Sequence, residues 1–262
     1  MQLNSYRGLA ALVTGASSGI GRRLALRLAR EGARVALVAR REAELDAVAA
    51  EIRAQSGEAL VLPCDVADPV QASAAARRAL EQFGVVDILV NNAGYGGQRT
   101  FLDWDIEDME RIMRVNYFGA LYFTKALLPR MVERKRGWLV FVSSVTGRIA
   151  SPEKTAYAAT KFAITGFAEA LSLEVEAAGV HLLTVYPGVV RTPFFTEQML
   201  RDMPPKARRS MVEPDRLVDA ILLALAKGKR ELTYPGGLAA GYVVRALAPG
   251  FLRKQVLRVT KK

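Results

Sequence analysis

The chain has 262 residues, 51 % of them hydrophobic, with one Cys, one His and a formal net charge of +11. Such a length and apolar content suffice for one α/β domain with a full core, whereas Cys64 alone cannot close an internal disulfide and reads as a core thiol. A zinc site has almost no ligands to draw on, no apolar run reaches the roughly 20 residues of a membrane span, and Met1–Arg7 lacks a signal-peptide layout, so a cytoplasmic setting with no metal is expected.

Apolar, β-branched runs predict six buried strands, at Leu9–Thr14, Arg34–Ala39, Ala59–Pro63, Val86–Val90, Trp138–Ser143 and Val180–Tyr186. Helical periodicity between them predicts helices over Gly19–Arg30, Glu42–Gln55, Pro69–Gln82, Ile106–Arg134 and Thr155–Ala178. Alternation of strand and helix implies right-handed crossovers, hence a parallel sheet with helices on both faces in a single α/β domain. The rhythm breaks after Pro187-Gly188, where Arg191 to Glu213 carries Pro193, Pro204 and Pro205. This stretch leaves the carboxyl end of a strand, where open parallel sheets bind ligands. It reads as a substrate lid, with an ordinary surface connection as the alternative.

The charge sits at the end of the chain. Residues 227–262 hold nine basic side chains against Glu231, which is +8 of the +11. Leu238 to Lys262 reads as a basic amphipathic extension: Phe251, Leu252, Val256 and Val259 can share one helical face, with Lys254, Arg258 and Lys261 on another. Peripheral contact with a membrane is one reading; packing over the 191–213 loop or a partner subunit is the other. A pI of about 10.0 also raises nucleic-acid binding. That class predicts a basic face with stacking aromatics or a reader motif, and the sequence has neither, so no nucleic-acid partner is expected.

Thr14-Gly15-Ala16-Ser17-Ser18-Gly19-Ile20-Gly21 follows the first strand and opens a helix. Glycines there let the backbone approach a pyrophosphate, and the helix N-terminus offers free N–H groups and a positive dipole end. NAD-preferring sites place a carboxylate after the second strand to bind the ribose 2′-hydroxyl. Here that strand ends in Arg40-Arg41, which suit a 2′-phosphate, so NADP(H) is favoured over NAD(H), with Arg40 the more direct contact. Otherwise the pair merely solvates the start of a helix. Tyr157 and Lys161 are four apart on one helical face, where an ammonium would lower the phenol's pKa and make it a usable acid/base. Ser143-Ser144 ends the fifth strand on the same sheet edge, and a hydroxyl there can polarise a carbonyl.

Singly, these features also occur in ordinary turns and helices. Together, from Leu9 to Thr192, they resemble the short-chain dehydrogenase/reductase family: the 14–21 loop, Asp65-Val66, Asn91-Asn92-Ala93-Gly94, Asn116, Ser144, Tyr157 with Lys161, and Pro187-Gly188 with Thr192 stand in the family's order. The resemblance implies a Rossmann-type doubly wound parallel sheet of three αβα layers, with residues 1–237 as the oxidoreductase domain. It implies Tyr157 as general acid or base, Lys161 lowering its pKa and binding the nicotinamide ribose, Ser144 holding the substrate oxygen, and Asn116 placing a water in a proton relay. It further implies that Gly15, Ser17, Ser18, Gly19, Ile20 and Gly21 bind the pyrophosphate side of the cofactor. Asp65 and Val66 would border the adenine, Asn91, Asn92, Ala93 and Gly94 would line the cleft, Val189 and Thr192 would orient the carboxamide, and Pro187 and Gly188 would also bind the cofactor.

The implied reaction interconverts a ketone or aldehyde and an alcohol, and the tail suggests a bulky, lipid-like small molecule. An NAD(H)-dependent alcohol dehydrogenase and a non-catalytic dinucleotide-binding regulator are the alternatives. Many family members end in a short strand and an Asp-Gly-Gly used in a tetramer. This chain instead has Tyr234-Pro235-Gly236-Gly237 and 25 further residues, which favours a homodimer through the helices around 106–134 and 155–178.

Overall fold

The structure, a computed structural model, describes residue 3 and residues 5–260. Seven strands form one parallel sheet: β1 (Ala10–Thr14), β2 (Arg34–Ala39), β3 (Ala59–Pro63), β4 (Ile88–Asn91), β5 (Gly137–Val142), β6 (Val180–Pro187) and β7 (Glu231–Tyr234), in the order β3-β2-β1-β4-β5-β6-β7. Period-two alternation divides the core between the two faces. Ala11, Val13, Val35, Leu37 and Ile88 pack with Leu24 and Leu28 of α1 (Gly19–Arg30), Val48 of α2 (Glu42–Ala54) and Leu217 of α9 (Pro214–Ala226). Ala10, Leu12, Ala36, Val38 and Leu89 face the other way. They meet Ala76 of α3 (Pro69–Phe83), Phe123 of α5 (Gly119–Glu133) and Ile164 of α6 (Thr155–Val175). The chain is thus one three-layer, doubly wound Rossmann-type domain, as the alternating pattern implied.

This order places β1 beside β4, with Ala11 opposite Ile88 and Val13 opposite Val90. Chain direction reverses there, so the carboxyl ends of β1 and β4 open a crevice between diverging connections. The two helices that follow β1 and β3 begin differently. Asp68 caps α3 by accepting from the N–H groups of Val70 and Gln71, with Pro69 in its first turn. Ser18 makes no side-chain cap bond to α1 among the described residues, so the first-turn donors of α1 face the crevice without a protein acceptor from that side chain.

Two expectations change. The helix expected over 106–134 is three pieces: α4 (Ile106–Met113), a π-helical segment (Arg114–Phe118) and α5. A π segment shifts register by part of a turn, and here Asn116 within it is buried. The 191–213 stretch is not loop throughout, since α7 (Glu197–Asp202) and α8 (Pro205–Arg209) lie inside it. Its ends meet at a bridge between Val190 and Val212, where Arg191 N–H donates to the Val212 carbonyl at 2.9 Å and Val212 N–H to that of Val189 at 2.9 Å. The excursion therefore leaves and returns at one point.

Two elements carried no expectation: α9, and β7, an edge strand paired only with β6 and too short and too exposed to show a continuous apolar run. The extension is two helices, α10 (Ala240–Leu247) and α11 (Pro249–Thr260), because Pro249 cannot continue the ladder of the first. Val259 and Lys261, expected on the faces of that extension, have side chains outside the described residues. No helix among the described residues is long and apolar enough to cross a membrane. Cys64 is buried, and burial pushes its thiol up to about 12.

Candidate active site

The crevice is built on Thr14. Its hydroxyl donates to the Val90 carbonyl at 3.2 Å and accepts from the backbone N–H groups of Asn92 and Ala93, both at 3.0 Å. Asn92 returns the contact: its Nδ2 donates to the Thr14 carbonyl at 2.8 Å and to that of Gly15 at 3.4 Å. Gly15 (φ 68°) and Gly19 (φ 57°) lie in the left-handed region that a side chain would strain. A Cβ on Gly21 would collide with the Gly15 carbonyl and with Asn92 Nδ2, so only glycine lets α1 begin this close to the loop. A pinched backbone, an uncapped helix start and a first turn without acidic residues form a cradle that fits a pyrophosphate.

Around the cradle, Thr192 packs against Gly19, with its Cβ 3.3 Å from where a Gly19 side chain would begin. Ile20 anchors the helix start in the core. Arg41 donates to Ser17 Oγ at 3.2 Å and pairs with Glu44 at 3.3 Å. Arg40 is exposed, close enough to Tyr95 to act on its phenol electrostatically. Arg41 is therefore the arginine that reaches the phosphate loop, because α2 begins at Glu42 and aims the residue before it at Ser17. Asp65 Oδ1 accepts from Ala67 N–H at 3.0 Å, and Val66 packs on Gly119. Asn91 is a correction: its Nδ2 donates to Thr124 Oγ1 at 3.1 Å, so its side chain faces α5 and not the cleft. Odd and even positions of β4 point to opposite faces, and Asn91 falls on the α5 side.

On the other wall, Ser144 follows β5, Tyr157 and Lys161 project from one face of α6, and Asn116 comes from the π segment. All four are buried. Lys161 Nζ donates to the Val142 carbonyl at 2.8 Å and lies 5.7 Å from the centroid of the Tyr157 ring. Ser144 Oγ accepts from Thr146 N–H at 3.1 Å, and its hydroxyl faces the Tyr157 phenol as a hydrogen-bond partner. Asn116 Nδ2 donates to the Tyr95 carbonyl at 2.8 Å and to Thr160 Oγ1 at 3.1 Å, while its Oδ1 accepts from Tyr95 N–H at 3.0 Å. Gly94 closes the gap between the walls, its missing Cβ 3.1 Å from Asn116 Oδ1 and 3.7 Å from Lys161 Nζ.

Electrostatics differ from expectation. Burial pushes the Tyr157 phenol up to about 12, and the Ser144 hydroxyl pulls the other way. The same burial holds the Lys161 ammonium down at about 8. Desolvation outweighs the ammonium's attraction here, because Lys161 directs its hydrogen bond to a carbonyl and not to the phenol. At neutral pH Tyr157 is a protonated phenol in a dry pocket, the form a proton donor needs.

Three residues absent from the expected set support it. Thr14 is described above. Ser143 Oγ donates to the Lys161 carbonyl at 3.1 Å and shares a hydrogen bond with Thr165 Oγ1 at 2.9 Å, fastening α6 to β5. Thr160 Oγ1 donates to the Tyr157 carbonyl at 2.8 Å. Each adjoins a motif residue, and hydroxyls at such positions were the available signal. Phe194, from the 191–213 stretch, has its ring 5.7 Å from that of Tyr157 and lies against Gly96, in an apolar cluster with Trp104, Ile112 and Ala156.

A dinucleotide cradle beside a buried phenol, ammonium and hydroxyl on one edge of a doubly wound sheet defines an NAD(P)-dependent dehydrogenase or reductase. The sequence agrees: residues 9–202 match the short chain dehydrogenase family, to which this chain belongs. It is 36 % identical over 248 residues to the fatty acyl-CoA reductase of Acinetobacter baylyi, covering 94 % of this chain and 82 % of that one. It is 33 % identical over 270 residues to dehydrogenase/reductase SDR family member 7B of Mus musculus, covering 98 % and 83 %. The fold matches a short chain dehydrogenase/reductase from Burkholderia phymatum, solved in complex with NAD, with a TM-score of 0.86 at 24 % identity over 95 % of this chain and 96 % of that one.

The depressed Lys161 pKa sets a sign for stability. Between pH 8 and the ordinary lysine value of 10.5, the unfolded chain holds a proton that the folded chain has released. Stability from this group therefore rises with pH across that window, and below pH 8 the burial cost is present in full. Urea titrations of wild type and Lys161→Met at pH 7 and pH 9.5 are expected to shift the stability difference toward wild type by about 2 kcal/mol at the higher pH. A difference that stays level would place the Lys161 pKa at its ordinary value.

Proposed function

We propose that the protein is an NADP(H)-preferring reductase of a bulky, apolar ketone or aldehyde, with Tyr157 as the general acid. The observation that carries this reading is the convergence of Ser144, Tyr157, Lys161 and Asn116 beside the Gly15–Gly21 cradle. The dinucleotide supplies hydride when bound. Gly15, Ser17, Ser18, Gly19, Ile20 and Gly21 hold its pyrophosphate, and Asp65 and Val66 border the adenine. The Ala93-Gly94 backbone, braced by Asn92, lines the cleft, and Pro187, Gly188, Val189 and Thr192 hold the carboxamide end.

Ser144 turns its hydroxyl to the substrate oxygen when substrate enters, and Tyr157 delivers the phenolic proton there. Lys161 binds the ribose, favours the phenolate that remains and, with Asn116, returns a proton from solvent. Phe194 excludes water as the lid closes. A relative's name as a fatty acyl-CoA reductase and the apolar lid side chains Phe194, Phe195 and Met199 support a lipid-like substrate.

Arg40 and Arg41 take the 2′-phosphate, Arg41 from its position against Ser17. Residues 1–237 form the catalytic domain and 238–262 the extension. Leu247 and Phe251, exposed beside Arg253, Lys254 and Arg258, support peripheral contact between that extension and an anionic membrane. Exposed Phe118 and Leu173 support a homodimer through α5 and α6.

Tyr157→Phe is expected to lower kcat by roughly 10²–10⁴ with NADPH affinity unchanged. Turnover equal to wild type would remove this mechanism. Isothermal titration should give an NADPH preference that Arg40→Ala/Arg41→Ala reduces roughly 100-fold, with NADH binding unmoved. NADH binding as tight as NADPH to wild type would make the protein an NAD(H) enzyme. The full chain should sediment with phosphatidylserine vesicles at low salt and, without lipid, as a dimer in the ultracentrifuge. Failure to co-sediment removes the membrane contact, and a tetramer removes the dimer.

A further inference from the structure

We propose that helix α10, the first of the C-terminal extension, belongs to the catalytic apparatus: through Arg245 and Arg148 it holds the loop that carries Ser144, which makes both arginines positioning residues for that hydroxyl. The inference rests on the reading of Ser144 given above and adds a role for residues that reading does not use.

Arg148 lies four residues after Ser144, at the end of the 3₁₀ turn Val145–Gly147. That turn is closed onto Ser144: Gly147 N–H donates to the Ser144 carbonyl at 2.8 Å, and Arg148 N–H to that of Val145 at 3.0 Å. The Arg148 guanidinium donates to the buried Tyr186 hydroxyl at 2.7 Å and pairs with Glu231 of β7. It also stacks over the rings of Tyr186 (4.6 Å) and Tyr242 of α10 (5.8 Å). One side chain thus joins the Ser144 loop to β6, β7 and α10.

Three further contacts come from the extension itself. Arg245 donates to the Arg148 carbonyl and stacks over Phe162, the neighbour of Lys161, at 5.1 Å. Gly241 comes so close to Ile149 that a Cβ there would lie 2.9 Å from Ile149 Cδ1. Leu238 Cδ1 lies 2.8 Å from where a side chain on Gly188 would begin. The extension therefore touches the chain beside Ser144, beside Lys161 and at Gly188, three segments of the catalytic wall. Arg245 is exposed and lies outside the core, so its contact with a backbone carbonyl of the Ser144 loop has a positional consequence separable from folding. Loss of that grip frees a hydroxyl that needs its angle to the substrate oxygen held closely.

The test uses the full chain with NADPH and decanal, comparing Arg245→Gln, Arg245→Lys, Arg148→Lys and Ser144→Ala. Hydrogen exchange of residues 143–149, without substrate, gives a readout independent of turnover. Arg245→Gln is expected to raise exchange in that segment and to lower kcat about tenfold, with NADPH affinity and Tm unchanged. Arg245→Lys should recover part of the loss, while Arg148→Lys, which keeps the charge but loses the planar stack, should lose as much as Arg245→Gln.

Unchanged exchange in Arg245→Gln overturns the proposal. So does raised exchange with wild-type kcat, and so does a loss of kcat that tracks a falling Tm. Ser144→Ala separates the two levels: if it turns over decanal as wild type does, the role of Ser144 itself fails. If Ser144→Ala is impaired and Arg245→Gln is not, only the role of α10 fails.

Discussion

Everything at this site depends on how closely two backbones approach where β1 and β4 end. The Thr14 hydroxyl satisfies one carbonyl and two N–H groups of the β4 segment at once, and Asn92 answers with its amide. A buried polar group left unpaired costs about 1–3 kcal/mol, so this exchange holds the two strand ends in one arrangement. Glycine at 21 then allows α1 to start against that junction. The uncapped start of α1 is held against the β4 end by it.

The catalytic wall is held in a comparable way, by hydroxyls and carbonyls and not by ion pairs. Ser143 and Lys161 each bond across the gap between β5 and α6, and Thr160 links Tyr157 to Asn116. Because these partners are neutral, burial outweighs what they return, the Ser144 hydroxyl at Tyr157 included, and both titratable groups are driven toward their uncharged forms. An ion pair there would have pulled the two pKa values in the opposite directions. A protonated phenol beside a partly neutral amine is therefore a consequence of packing a helix against a strand, and it suits proton delivery to a carbonyl.

Much of this was legible in order along the chain. Leu12, Val38 and Leu89 lie in runs whose β-branched, apolar character does not depend on what they touch, and the 14–21 loop announces its own turn through its glycines. Asn116 was legible only through its place in a family pattern, since the π segment that buries it has no local signature distinguishing it from the α-helix on either side. Arg40 and Arg41 show the limit of reading by type. Both are guanidiniums after the second strand, and which one meets Ser17 depends on where α2 begins. β7 lacked a strong local period because it is a short edge strand stabilised by neighbours far along the sequence, Tyr186 among them.

By itself, then, the sequence determined six of the seven strands and the phosphate turn and marked the candidate reactive groups, because propensity, periodicity and side-chain chemistry act over a few residues. Tertiary structure alone decided that Asn91 faces α5, that Arg41 and not Arg40 reaches the loop, that burial overrides charge at Tyr157, and that the basic extension folds back beside the catalytic wall. Those outcomes depend on distances between segments far apart in the chain, from the 77 positions separating Gly15 from Asn92 to the 97 separating Arg148 from Arg245. Local sequence carries no measure of such distances, and only the packed sheet brings those atoms together.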